Sequence, residues 1–230
     1  MKRRSDLTTK VRRPLIVAVI ASPRDVAEVS KLPTDSFDLC ELRIDLLQTV
    51  PGGLEGLASG LPYRKIATVR DPREGGAGGL SETARFELFE RFLPECDMVD
   101  VELENLSIYS SLVQRAESEG KQVIVSVHDF LKTPPLDELQ SLLDCSGLGN
   151  TRLFKAATNV GSWADIEVLV EFIRRNLPGR VAAMGMGELG KLSRLVLGRL
   201  GSALVYGSVS HAVASGQWPV AELARILPEI

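Results

Sequence analysis

A lysine at the end of a short apolar run is positioned for covalent chemistry. Lys155 occupies that place in Arg152-Leu153-Phe154-Lys155-Ala156-Ala157-Thr158. Burial of an amine among apolar groups disfavours the ammonium, and a neutral amine can attack a ketone to form a Schiff base. Upstream, His128 ends a second apolar run, Val123-Ile124-Val125-Ser126-Val127-His128-Asp129-Phe130. A histidine titrates near working pH and can shuttle a proton beside such an imine.

Two such residues can cooperate only if neighbouring elements hold them side by side. β-branched apolar runs recur along the chain at Leu15–Ile20, Leu39–Ile44, Lys65–Val69, Met98–Leu103, Val123–Val127, Arg152–Ala156, Val181–Met184 and Ala203–Tyr206. Amphipathic stretches alternate with them at Arg24–Lys31, Leu54–Ser59, Ser81–Phe92, Leu106–Glu119, Leu136–Leu143, Ser162–Asn176, Glu188–Arg199 and Pro219–Ile226. Strands alternating with helices imply βαβ units and a parallel sheet. Eight repeats predict an α/β fold closed as a (β/α)8 TIM barrel, spanning residues 1–230 as one domain; a doubly wound open sheet is the alternative. Ser81 is placed to cap the third helix, Gly120 to end the fourth, and Asn176-Leu177-Pro178-Gly179 to break the chain before the seventh strand.

Composition is compatible with this and excludes other classes. The 230 residues are 44% hydrophobic, enough for one substantial core, and the net charge of −3 provides no basic footprint for nucleic acid. Cys40, Cys96 and Cys145 are scattered, which argues against a disulfide framework or a zinc site and for a reducing, cytoplasmic compartment. No cofactor or metal is expected. The basic start before Leu15–Ala21 resembles a leader, but the apolar run has a strand's length and β-branched content. No run approaches the roughly 18–20 apolar residues that cross a membrane.

In a barrel the chemistry sits at the C-terminal ends of the strands. Glu41, Arg43 and Asp45 are spaced by two and share a face, as do Asp100, Glu102 and Glu104. Arg70 ends the third strand, Glu74 opens a Gly-rich loop, Arg194 follows the seventh strand and Gln217 the eighth. Charges of opposite sign inside a barrel also pair for structural reasons, so these groups alone do not prove a site. Among the three acids of the fourth strand, Asp100 is preferred for orienting a catalytic group. His211 is read as structural and the cysteines as packing or surface residues.

Taken together, the motifs resemble type I 3-dehydroquinate dehydratase over nearly the whole chain. They are Glu41-Leu42-Arg43-Ile44-Asp45, Arg70 with Glu74-Gly75-Gly76, Ser126-Val127-His128-Asp129-Phe130, Phe154-Lys155-Ala156-Ala157, Met184-Gly185-Met186-Gly187 with Ser193-Arg194, and Ala214-Ser215-Gly216-Gln217. The resemblance implies that Lys155 condenses with the C3 ketone of a cyclohexane carboxylate. His128 then removes the C2 proton and returns one to the departing C1 hydroxyl, a syn elimination. It further implies that Glu74 tunes the imidazole, that Arg194 and Gln217 hold the carboxylate, and that Glu41, Arg43 and Arg70 hold the ring hydroxyls. The Gly-rich loop would act as a lid, and a monofunctional homodimer is expected.

One departure stands out. Members of that family often carry a serine four residues before the glutamine, where this chain has Val213, and a proline where it has Ser215. Ser215 is the candidate to supply the missing substrate contact. Two other readings are retained: a class I aldolase, which needs a phosphate site after strands seven and eight, and a non-catalytic sensor that binds dehydroquinate without turnover.

Overall fold

The structure, a computed structural model, describes residues 13–33, 35–49 and 56–230. The basic segment before Arg13 lies outside them. Eight strands form the frame: β1 (Leu15–Ile20), β2 (Leu39–Arg43), β3 (Lys65–Thr68), β4 (Met98–Glu102), β5 (Gln122–Asp129), β6 (Arg152–Asn159), β7 (Val181–Met186) and β8 (Leu204–Ser208). A two-residue β9 (Trp218–Pro219) adds to the edge of β8. The helices are α1 (Pro23–Val29), α2 (Glu82–Phe92), α3 (Ser110–Ser118), α4 (Leu136–Cys145), α5 (Trp163–Arg175), α6 (Gly190–Leu200) and α7 (Val220–Ile226).

Every strand pair is parallel, in the order β7-β6-β5-β4-β3-β2-β1-β8-β9. The Ala203 N–H, just before β8, donates to the Val181 carbonyl of β7 at 2.8 Å. That bond joins the two ends of the sheet and closes the barrel.

Alternation along each strand sorts the side chains. Ile16, Ala18 and Ile20 of β1 pack outward with Cys40 and Leu42 of β2, and with Ile44 just after it, against the first helices. Val17, Val19, Leu39, Ile66, Met98, Ile124, Leu153 and Leu204 fill the interior. Toward the C-terminal end the inward positions turn polar: Glu41 and Arg43 follow Leu39, Asp100 and Glu102 follow Met98, and Lys155 follows Leu153. The interior is therefore a packed apolar plug carrying a polar upper layer, as the two-residue period requires.

Local signals act where the sequence placed them. Ser81 Oγ accepts the Ala84 N–H at the start of α2. Ser162 and Asp165 form a capping box at α5, whose last turn carries Arg174 and Arg175. Gly120 takes φ +73° just after α3. Three expectations change. The helix expected over Leu54–Ser59 lies outside the described residues at its start, and residues 56–60 form turns. The fourth helix is confined to Ser110–Ser118, because Leu103–Asn105 first makes one 3-10 turn. Strands β5 and β6 run past Val127 and Ala156 to Asp129 and Asn159, so His128 and Asp129 are the last residues of β5.

Candidate active site

The polar layer opens into a cavity lined by Glu41, Arg43, Arg70, Glu74, His128, Lys155, Arg194 and Gln217, with Phe130, Met184, Met186, Tyr206 and Val213 among its apolar walls. Eight of the nine site residues expected from sequence thus converge. The elements explain how. Ser126 of β5 is in register with Lys155 of β6, and His128 lies two residues further along β5 on the same face.

Lys155 is 3% exposed, and its Nζ donates to Asp100 Oδ2 at 2.6 Å. Asp100 also accepts Ser126 Oγ at 2.6 Å and pairs with Arg70 at 3.0 Å. Arg70 donates to Glu102 at 3.0 Å and to Ser126 at 2.7 Å. Burial alone would raise the Asp100 carboxyl, but Arg70 and Lys155 more than offset it and hold it at about 2. The preference for Asp100 is met by this contact. Residue type alone does not mark Ser126 or Tyr206, although the alternation that turns Lys155 inward carries both to the same face.

His128 Nδ1 lies 2.7 Å from Glu74 Oε2, which leaves Nε2 for a ligand. Glu74 is carried by a one-turn 3-10 helix capped by Asp71, and the turn is ended by Gly75 at φ +83°. The Phe130 ring packs over Gly75 and stacks on the imidazole at 6.5 Å. Burial pushes the Glu74 carboxyl up to about 8, with Arg70 opposing. His128 is drawn well below its ordinary value, first by burial and then by Arg70, Lys155 and Arg43.

Arg43 makes a two-point pair with Asp45, at 3.0 and 2.7 Å, and reaches the Gly75 carbonyl at 3.3 Å. Glu41 accepts the Thr68 hydroxyl at 2.9 Å. Arg194 is 2% exposed with no acidic partner among the described residues. It reaches only the Tyr206 carbonyl, at 3.4 Å, and its Nε is unpartnered. Burial pulls this guanidinium down to about 10, so it stays charged at neutral pH. Gln217 Oε1 accepts the Val213 N–H at 2.9 Å. Ser215 is the residue that is not brought in: it is exposed, lies outside the cavity lining, and its Oγ accepts the Gly187 N–H at 2.8 Å.

A second cavity, at the end of the barrel where Arg13 and Ile230 meet, has neither lysine nor histidine in its lining among the described residues. No cluster of His, Cys, Asp or Glu able to hold a metal ion occurs among them either.

The sequence matches the type I 3-dehydroquinase family over residues 16–230. It is 34% identical to the 3-dehydroquinate dehydratase of Methanococcoides burtonii over 94% of both chains. It is 32% identical to that of Aquifex aeolicus, covering 92% of this chain and 97% of the relative. The crystal structure of the Geobacillus kaustophilus 3-dehydroquinate dehydratase superposes with a TM-score of 0.81 at 26% identity, over 94% of this chain and 90% of that one. A 3-hexulose-6-phosphate synthase from Salmonella typhimurium, at 16% identity and a TM-score of 0.60, shares the barrel fold alone.

Proposed function

The chain belongs to the type I 3-dehydroquinase family, and on that premise we propose which of its residues carry the reaction and how. It is a hydro-lyase of the shikimate pathway, converting 3-dehydroquinate to 3-dehydroshikimate and water through a lysine Schiff base. Membership in this family takes the place of the aldolase and sensor alternatives.

Lys155 adds through Nζ to the C3 ketone. The ketone oxygen leaves as water and a C=N⁺ bond forms, which withdraws electrons and acidifies the C2–H. His128 takes that proton at Nε2 and gives it to the C1 hydroxyl as the C1–O bond breaks. Water then hydrolyses the product imine, restoring the ketone and the amine. The observation that carries this assignment is the convergence of Lys155 and a Glu74-bonded His128 on one cavity.

The proton on the Glu74–His128 pair sets when the base is available. Below about 8 Glu74 is protonated, and its acid proton lies toward Nδ1. The neutral imidazole then bears its hydrogen on Nε2 and can donate but not abstract. Loss of the Glu74 proton leaves a carboxylate accepting Nδ1–H and frees Nε2. The competent base therefore accumulates as pH rises through about 8.

Arg194, an unpaired buried cation, fits the substrate carboxylate, with the Gln217 amide nitrogen beside it. Glu41, Arg43 and Arg70 face the ring hydroxyls. Arg70 and Arg43 are already held by carboxylates, so they present fixed donors and do not swing toward the ligand. Ser215 serves substrate binding through Gly187, holding the loop that carries Gln217 against the one that leads to Arg194. We further propose one catalytic domain, a homodimer and a cytoplasmic location. The scattered free cysteines support a reducing compartment, and no helix among the described residues is long and apolar enough to cross a membrane.

Borohydride trapping with 3-dehydroquinate, read by intact mass and peptide mapping, tests the assignment. The expected result is one adduct on Lys155, none in Lys155→Ala, and a retained adduct without turnover in His128→Ala. An adduct on another residue, or turnover in either variant at the wild-type rate, would overturn it.

A further inference from the structure

The Lys155 amine has two close neighbours. Asp100 lies at 2.6 Å and has no exposure. The face of the Tyr206 ring also lies close, its centroid 4.7 Å from Nζ. Neither residue has a part in the proton transfers described above. We propose that Asp100 and Tyr206 form a cradle for the positive charge of the Schiff base, the carboxylate as counter-ion and the aromatic face as a second wall. The proposal rests on the imine reading of Lys155 and assigns two further residues to that same reaction.

The charge balance requires such a device. Imine formation expels the ketone oxygen as water and takes up one proton, so the nitrogen is positive in the substrate iminium, is neutralised in the enamine when the C2 proton leaves, and is positive again in the product iminium until hydrolysis. That charge sits in a layer removed from solvent, beside a second cation, Arg70. Arg70 is bonded to both Asp100 and Glu102. Two cations and two carboxylates thus share the buried cluster. Loss of the Asp100 charge would leave an uncompensated cation at each of the two iminium species, and a buried unpaired charge is costly.

Tyr206 acts through its face. The Oη is buried and has no hydrogen-bond partner among the described residues, so no bond at the phenol holds the ring in place. A cation against an aromatic face is stabilised by the ring quadrupole, more strongly where water is excluded. Phenylalanine has the same face. The hydroxyl is therefore dispensable and the ring is not.

The experiment measures the trapped imine fraction and steady-state kinetics for Asp100→Asn, Tyr206→Phe and Tyr206→Leu. It also measures the Kd of a substrate analogue with a hydroxyl in place of the C3 ketone, which cannot form an imine. The expected result for Asp100→Asn is a loss of kcat/KM of roughly 100-fold or more, with little adduct. Tyr206→Leu is expected to lose about tenfold, and Tyr206→Phe to stay within about twofold of the wild type. Analogue affinity should fall far less than trapping in all three, because the cradle holds a charge that the analogue never acquires. Thermal melts identify a variant that fails to fold, in which case the remaining two decide.

Wild-type trapping in Asp100→Asn would overturn the cradle, and so would a fall in analogue affinity that parallels the fall in trapping. A Tyr206→Phe variant as impaired as Tyr206→Leu would transfer the role to the hydroxyl and overturn the ring's part. If the wild-type chain dehydrates substrate but traps nothing, the imine reading itself fails and the cradle fails with it. That outcome differs from trapping in the wild type and the variants alike.

Discussion

At the scale of single residues, proton inventory and charge decide function. Glu74 and His128 share one hydrogen bond of 2.7 Å, and burial keeps the carboxyl protonated up to about 8. We predict that kcat/KM of the wild type rises with pH through that value. Glu74→Gln should lose that limb, since the amide cannot titrate while its oxygen still accepts Nδ1–H. A pH profile of the variant that keeps the wild-type limb would assign the titration to another group. Arg194 gives the second prediction. It is buried without a counter-ion among the described residues, a cost that the proposed contact with the substrate carboxylate would offset. Arg194→Ala should raise KM by roughly 10–100-fold, the equivalent of losing one charge-assisted bond pair, and should leave imine trapping on Lys155 at saturating substrate. An unchanged KM would remove Arg194 from the carboxylate end.

At the scale of elements, the loop after β3 is the most constrained piece of backbone near the site. A methyl group on Gly76 would overlap the Arg70 carbonyl, and one on Gly75 would strike the Phe130 ring at positive φ. The Ala77 N–H is bonded to Asp45, which also pairs with Arg43. The loop is thus tied down at its start, and the lid expected of it would have to move beyond Ala77, where Gly78 and Gly79 are uncrowded. We predict that Gly76→Ala lowers thermal stability and reduces kcat by displacing Glu74, in a chain that still gives a barrel-like circular dichroism spectrum. Equal melting temperature and activity would mean the backbone relaxes around the methyl. Capping at Ser81 follows from residue type, because the hydroxyl and the first free N–H groups are sequence neighbours. The fourth helix was misjudged at its start: Leu106 and Tyr109 carry the apolar pattern, yet Asn105 is drawn down to Asp71 and Glu102 and delays the helix.

At the scale of the whole molecule, the buried ion network couples the site to stability. Asp100 is held at about 2, and Asp71 is also held well below the ordinary carboxylate range, chiefly by its bond to Arg73. Both bind fewer protons folded than unfolded over that interval. Their contribution is present above the unfolded-state value of about 3.9 and is lost as pH falls toward 2. Glu74 works in the opposite direction: raised to about 8, it binds more protons folded than unfolded, and costs stability as pH climbs from about 4.5 to 8. Denaturant unfolding as a function of pH should therefore show stability falling steeply below pH ~4. In Glu74→Gln the decline toward pH 8 should be shallower than in the wild type. Parallel pH curves for the two chains would refute the second part.

The sequence by itself determined the repeat of strand and helix, the inward face of each strand, and the identity of the lysine, histidine, arginines and carboxylates at the strand ends. These follow from local periodicity and from residue chemistry, which need no partner. Tertiary structure alone decided which charge meets which. Arg70 is committed to the carboxylates of β4; Ser215 bonds Gly187 and not the cavity; and Tyr206 lies against the amine. Each of these joins positions far apart in the chain, across strand registers and a barrel closure that no local pattern specifies. In a buried layer, pairing is settled by a few ångströms of geometry, and that geometry is a property of the closed barrel as a whole.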